Sequence, residues 1–201
     1  MRIVDPDQHL AKRREILSSA RVIFARHGFH RTSTDMICKA AGISSGSLFH
    51  YFPTKKALIL ALVEQEGRDI AAAMEALSRL DDPVGAVEHF LDGIVKAVDD
   101  GTERNLVLEI AAESARDVDV ATLSKTGDEA LRHGLEAIVR QGVETGAFAP
   151  VVSPSQFADF MLVVIDGIFS RSSTDPDYSA AQAAPSIRNI LTAALGVADA
   201  Q

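Results

Sequence analysis

The chain is poor in the residues that build extracellular and catalytic architectures. It has one cysteine, Cys38, in 201 residues, so no intrachain disulfide can form and a reducing compartment is expected. Tryptophan is absent and tyrosine occurs twice, which argues against an aromatic cage for a cationic ligand. No uncharged apolar run reaches the roughly 18 residues of a membrane span. The best stretch, 157–168, is interrupted by Asp159 and Asp166. The N-terminal MRIVDPDQHLAKRRE scatters charge where a signal peptide would be apolar. These absences predict a cytoplasmic protein with no membrane partner. There is no G-x-S-x-G, no P-loop and no H-E-x-x-H, so no catalytic residue and no cofactor is expected. His27 and His30 lie close in sequence, but no Cys or carboxylate group completes a ligand set, and no metal site is expected. Strand-like alternation is nearly missing, which leaves helix as the building material.

What is present is an uneven distribution of charge. Residues 1–56 hold ten Lys or Arg against four Asp or Glu, net +6, and the remainder nets −14. A basic head on an acidic body is the pattern expected when only the head meets a polyanion. Apolar periodicity draws the helices. Ile16, Ala20, Ile23, Phe24 and His27 share one face of a first helix that stops at Gly28. Thr32-Ser33-Thr34-Asp35 has capping-box form and opens a second helix through Ala41, ended by Gly42. Ser44 or Ser45 caps a third, ending near Tyr51, and Pro53 introduces a fourth from about Thr54 to Leu80. Asp82-Pro83 starts a fifth helix. Thr102 is read as the cap of a sixth, and Asp117 or Asp119 as the start of a seventh. Ser153-Pro154-Ser155-Gln156 marks an eighth, and a ninth begins between Ala180 and Pro185 and ends at Gly196.

Residues 34–51 have helix-turn-helix form, two short helices joined at a glycine turn. Ile37, Ala40, Ala41, Ile43 and Leu48 are expected to lock the pair onto Ile16, Ala20 and Phe24. In such a motif the second helix lies in the major groove, and small residues at its front let the backbone come close. Ser44, Ser45, Gly46 and Ser47 are those small residues. His50 and Tyr51 place polar tips at phosphate or base. Lys55, in the first turn of the fourth helix, is expected to point its ammonium at a phosphate, and Thr32 and Ser33 offer hydroxyls at the other helix start. Cys38 reads as a small core residue and not as a redox sensor.

The run RREILSSARVIFARHGFHRTSTDMICKAAGISSGSLFHYFPTKKAL, residues 13–58, resembles the DNA-binding domain of the TetR family of transcriptional regulators. The order A-G-[IV]-S-x-G-[ST]-[LI]-[YF]-x-[YH]-F-x-[ST]-K is met almost without a gap. The resemblance implies an all-α homodimer of about nine helices. Residues 1–56 would be the helix-turn-helix DNA-binding domain, with its recognition helix at about 44–51. Residues 57–201 would be the ligand-binding and dimerisation domain, with the boundary inside the fourth helix. It also implies that Thr32, Ser33, Ser45, Gly46, Ser47, Phe49, His50, Tyr51 and Lys55 face DNA. Two departures matter: Ser45 stands where the family often has lysine, and Phe49 where it often has tyrosine.

The partners implied are a double-stranded operator, a second copy of the chain and an unidentified small-molecule effector. Helix eight is apolar nearly all round, so either one side meets a partner or the helix is buried within one large monomer. The residues set against a partner are Phe160, Val164, Gly167 and Ile168 of helix eight, with Ile187, Ile190 and Leu191 of helix nine. An effector pocket among helices four to eight would be lined by Leu62, Gln65, Phe90, Leu106 and Glu109, with Ile110, Glu113, His133, Phe157 and Met161. Glu109 and Glu113, spaced i, i+4, either meet a cationic ligand or face water. His89 and His133 also read as ordinary surface or satisfied histidines. The expected mechanism is repression of a palindromic operator, relieved by ligand. Two rivals stay open: a helical ligand-binding protein whose head has lost DNA affinity, and a helical enzyme on the same scaffold.

Overall fold

The computed structural model describes residues 6–197. Among the described residues the chain forms nine helices and no strand: α1 (Pro6–His27), α2 (Thr34–Ala41), α3 (Ser45–Tyr51), α4 (Lys55–Ser78), α5 (Pro83–Asp99), α6 (Gly101–Ser114), α7 (Val118–Glu144), α8 (Pro154–Thr174) and α9 (Ala180–Leu195). The all-helical class expected from periodicity is therefore the class observed.

Most ends follow the caps legible in the sequence. Ser33, and not Thr32 of the box expected at 32–35, caps α2, its hydroxyl accepting from the Met36 amide at 3.2 Å; the Ser44 hydroxyl accepts from the Ser47 amide at 3.2 Å. Ser44, not Ser45, is therefore the cap of α3. Ser153 and Gln156 satisfy each other's amides reciprocally ahead of α8, a full capping box. At α6 the expectation fails. The Asp100 carboxylate accepts from the Thr102 and Glu103 amides at 2.8 and 3.3 Å, so it replaces Thr102 as the cap. An ionised acceptor at a helix start also gains from the helix dipole, which a hydroxyl does not. Asp117 likewise opens α7, accepting from the Asp119 and Val120 amides.

The chain divides into two compact units. The first takes the chain up to Gln65 together with Asn105–Ser124. Its core gathers Ile16, Ala20 and Phe24 of α1, Ile37 and Cys38 of α2, and Leu48 of α3. Phe52, Leu58, Leu62, Leu106 and Val120 complete it. Phe24 and Phe29 meet edge to face at 4.9 Å between centroids, a favoured aromatic geometry. Ala40, expected in this set, is exposed: with Ile37 and Ala41 turned inward, position 40 falls on the outer side of an eight-residue helix. The second unit comprises Glu66–Arg104 and Lys125–Gln201. Its interior holds Met74, Phe90, Leu91, Ile138, Phe148, Phe157, Met161, Ile165 and Leu191.

Candidate DNA interface

α2 and α3 are joined by a turn of three residues. Gly42 takes φ +62, a left-handed backbone that glycine adopts at no steric cost, and the Ile43 amide donates back to the Cys38 carbonyl at 3.0 Å. This closes α2 and re-aims the chain within one residue. Leu48 is 1% exposed and pins α3 to the core. The opposite face of α3 carries Ser45, Gly46, Phe49 and His50, all exposed, with Ser44 beside them at the cap. Their i, i+1, i+4, i+5 spacing makes one outward stripe. A Cβ added at Gly46 would meet nothing nearer than Ser44 Oγ at 4.0 Å. The front of the helix is thus open to a close neighbour. Ser47 and Tyr51 are half-buried at the edges of this stripe.

Tyr51 does not stand alone. The ring of His9, on α1, lies 4.6 Å from it with planes tilted 34°. His50 meets both rings edge-on, at 5.2 Å from Tyr51 and 5.9 Å from His9. Three rings therefore form one patch at the end of α3. His9 was not among the sequence candidates. It lies two turns before Ile16 on the same face of α1, but it is polar, and only the packing of the start of α1 beside α3 brings it to Tyr51. The Arg13 guanidinium lies 5.1 Å from the Phe52 ring centroid, which leaves a cation at the same border.

Two expected DNA contacts turn inward. Thr32 is 2% exposed and its hydroxyl donates to the Gly28 carbonyl at 2.8 Å. It closes the α1–α2 loop, because a buried hydroxyl must find an acceptor. The Lys55 ammonium donates to the carbonyls of Phe29 at 2.8 Å, Thr32 at 3.0 Å and His30 at 3.4 Å. All three protons of the ammonium are directed at this loop and not outward. The loop carbonyls provide what the ammonium needs. Ser33 remains exposed at the start of α2.

The same loop is held from α6, and α4 is held from the start of α7, within the same unit. The Phe29 amide donates to Glu109 at 3.1 Å, and His30 Nε2 lies 2.8 Å from the Glu113 carboxylate. Lys56 bridges Asp117 at 2.7 Å and Asp119 at 2.6 Å. Hydrogen bonding to Lys56 holds the Asp117 carboxyl below its usual range, and Asp117 and then Asp119 hold the Lys56 ammonium above its own. Gly28 has φ +77, and a Cβ there would lie 2.9 Å from Glu109 Oε1. Glu109 and Glu113 are thus both half-buried and turned to the α1–α2 loop. Their i, i+4 spacing matches two successive residues of one loop, which sequence spacing alone does not reveal.

The other pocket candidates separate. Leu62 and Leu106 are core residues of the first unit, where Ile110 packs half-buried against them and Gln65 is half-buried too. Phe90, Phe157 and Met161 are core residues of the second, and His133 is exposed on the outer side of α7. A cleft of about 170 Å3 in the first unit is lined by Phe29, His30, Lys55, Lys56, Ile59, Glu113, Asp117 and Val120. Among the partner-facing candidates, Phe160 is 47% and Ile190 60% exposed, with Gly167 exposed and Val164 and Ile187 half-buried. Ile168 and Leu191 are corrections: at 6% and 1% exposure they face the interior of their own unit. Val163, passed over in the sequence, is 68% exposed and extends the outer stripe of α8. Among the described residues no three His, Cys, Asp or Glu gather as a metal set, and no helix is long and apolar enough to cross a membrane.

Comparison with known proteins agrees with this geometry. Residues 16–62 match the family profile of bacterial regulatory proteins of the tetR family. Residues 83–196, more than half the chain, match that of the BetI-type transcriptional repressor C-terminal domain. The HTH-type transcriptional regulator UidR of Escherichia coli K12 is 31% identical over 163 residues, 79% of this chain and 80% of UidR. The structure of Salmonella enterica GusR covers 98% of this chain and 100% of its own, with 28% identity and a TM-score of 0.75. A SmeT–triclosan complex, at 21% identity and a TM-score of 0.78 over 94% of this chain and 93% of its own, shares the fold. The two profiles and the UidR relationship leave one assignment: the chain belongs to the TetR family of bacterial regulatory proteins and is a DNA-binding transcriptional regulator, not an enzyme.

Proposed function

We propose that the chain acts in the cytoplasm as a repressor that binds a palindromic operator as a homodimer and leaves it when a small molecule binds. The observation that carries the DNA reading is the outward stripe of Ser45, Gly46, Phe49 and His50 on a head of net +6. Small residues admit the helix to the major groove, and the charge supplies the phosphate attraction. Ser33, Ser44, Ser47, His50 and Tyr51 serve as contacts around that stripe, with His9 stacked behind Tyr51. Lys55 serves the interface by fixing the loop that carries Ser33.

The outer faces of α8 and α9 support a second copy as partner. Phe160, Val163, Val164 and Gly167 repeat at i, i+3, i+4, i+7, and Ile187 and Ile190 repeat at i, i+3. A Cβ at Gly167 would meet nothing within 4 Å, so a partner helix can approach closely there. Two-fold pairing would set the recognition helices about 34–36 Å apart, one turn of DNA.

An effector acts only through its different affinity for the bound and released states. The proposal takes it to be a small molecule held by the helical body; SmeT, which shares the fold, forms a complex with triclosan. Glu109 and Glu113 give α6 a grip on the α1–α2 loop, and Asp117 ties the start of α7 to Lys56 of α4, so a shift of α6 would be felt where Ser33 and Lys55 sit. The test is a gel shift on the DNA upstream of the chain's own gene at two salt concentrations. A shift that weakens steeply with salt is the expected result. No shift, or one indifferent to salt, would return the ligand-binding protein without DNA function to first place. Native mass spectrometry of the purified protein reads both the dimer and any retained effector.

A further inference from the structure

We infer that Phe49 reads the C5 methyl group of a thymine in the major groove of the operator. The inference rests on α3 being the recognition helix, as proposed above. Phe49 is 45% exposed and lies one turn from Ser45 and Gly46 on the same outward stripe. Helical side chains lean toward the N-terminus of their helix, so its ring is carried over the turn holding Ser45 and Gly46. Gly46 offers that ring no side chain to pack on, since the position is open out to Ser44 Oγ at 4.0 Å. A half-exposed aromatic ring therefore sits at the part of the helix that would enter the groove.

The rest of the helix narrows the reading chemistry. Its sequence, SGSLFHY, contains no Arg, Lys, Asn or Gln. Those are the side chains that read guanine or adenine edges with paired hydrogen bonds. The Ser44 hydroxyl is engaged by the Ser47 amide, and Cys38 Sγ lies 3.9 Å from Ser45 Oγ. What the stripe presents is apolar surface edged by short hydroxyls and one imidazole. On the floor of the major groove the thymine methyl is the apolar group that distinguishes one base pair from another. A phenylalanine also brings no hydroxyl that would lose water on contact, unlike the tyrosine common at this position in the family.

The experiment uses the full-length protein. Double-stranded sites are selected from a randomised pool, and each thymine of the selected site is then replaced singly by deoxyuridine, which removes only the methyl. We expect one thymine per half-site at which the change weakens binding about four-fold, the transfer value of one methyl group. Replacing both symmetric thymines should cost about sixteen-fold, the two half-sites being far enough apart to add. In Phe49→Ala the same deoxyuridine change should alter affinity by less than about 1.5-fold, which couples the ring to the methyl. If every thymine tolerates the replacement in the wild-type protein, or the loss persists undiminished in Phe49→Ala, the inference fails while DNA binding stands. If no sequence is enriched at all, the recognition-helix reading fails with it. The wild-type arm needs no variant, so the inference is exposed to refutation even if Phe49→Ala folds poorly.

Discussion

Replacing Lys55 by methionine separates two roles that its position in the family motif does not distinguish. Methionine keeps an unbranched apolar stem of similar reach and removes only the ammonium. In the structure that ammonium donates to the carbonyls of Phe29 and Thr32 at 2.8 and 3.0 Å, with a longer contact to His30 at 3.4 Å. Hydrogen bonds to a charged donor are worth about 1.5–3 kcal/mol each. Two good ones therefore set a gross loss of about 3–6 kcal/mol, reduced because Lys55 is half-buried and water reaches part of the vacated loop. A net loss of about 2–3 kcal/mol is expected. For a chain of this length that lowers a thermal midpoint by about 4–12 °C, read by circular dichroism. Operator affinity should fall by the same factor at every salt concentration, because no phosphate contact has been removed. A direct phosphate contact would behave in the opposite way: the slope of log K against log salt would fall by about 0.9 per head. An unchanged midpoint together with that reduced slope would refute the inward assignment.

Four further outcomes follow from the same geometry. Gly28→Ala places a Cβ at φ +77 and 2.9 Å from Glu109 Oε1, so it should destabilise the protein by about 1–3 kcal/mol, measured by urea unfolding. His9→Ala should weaken operator binding by loosening Tyr51, and His9→Phe should restore it, because the 4.6 Å stack needs a ring more than a nitrogen; equal weakening in both would show that His9 contacts DNA itself. Burial first, then the charges of Asp166 and Glu129, raises the Asp128 carboxyl above its ordinary value, so the folded state holds that proton more tightly than the unfolded chain and loses stability as pH rises past the ordinary aspartate value. Asp128→Asn should therefore raise the thermal midpoint at pH 7, and the gain should vanish below about pH 3.9. Phe160→Glu puts a charge on a ring that is 47% exposed, so it should leave helicity intact while shifting sedimentation from dimer to monomer.

The elements were legible because each rests on local chemistry. Ser44, Asp82 and Ser153 cap the helices they precede, and Gly42 ends α2 in a left-handed backbone where a side chain would be strained. The outward stripe of α3 was legible for the same reason, since Ser45, Gly46, Phe49 and His50 are close in sequence and share an exposed helix face. The failures involve distance along the chain. His9 joins Tyr51 across 42 positions, and Glu109 reaches Phe29 across 80. Periodicity marks which face of a helix is apolar, but not which other helix will cover it. Ile168 and Leu191 show this within one helix each: both are apolar on apolar helices, and only the fold decides that Phe160 and Ile190 point out while they point in.

The polar residues misread from sequence share one physical cause. Thr32, Lys55 and Glu109 were each assigned outward because a polar side chain in a DNA-binding head, or beside a pocket, is assumed to serve a ligand. Each instead satisfies a backbone group of the α1–α2 loop: Thr32 the Gly28 carbonyl, Lys55 those of Phe29 and Thr32, Glu109 the Phe29 amide. The loop after α1 is packed against α4 and α6, so its own carbonyls and amides find partners within the protein. Buried backbone groups take precedence over function because leaving one unpaired costs about 1–3 kcal/mol. The head is therefore held together by residues that look like DNA contacts, and under the proposed function the groove-facing work falls to a stripe with short polar side chains and one ring. That division predicts which substitutions change stability and which change operator choice: the inward set moves the first, and Ser45, Phe49 and His50 move the second.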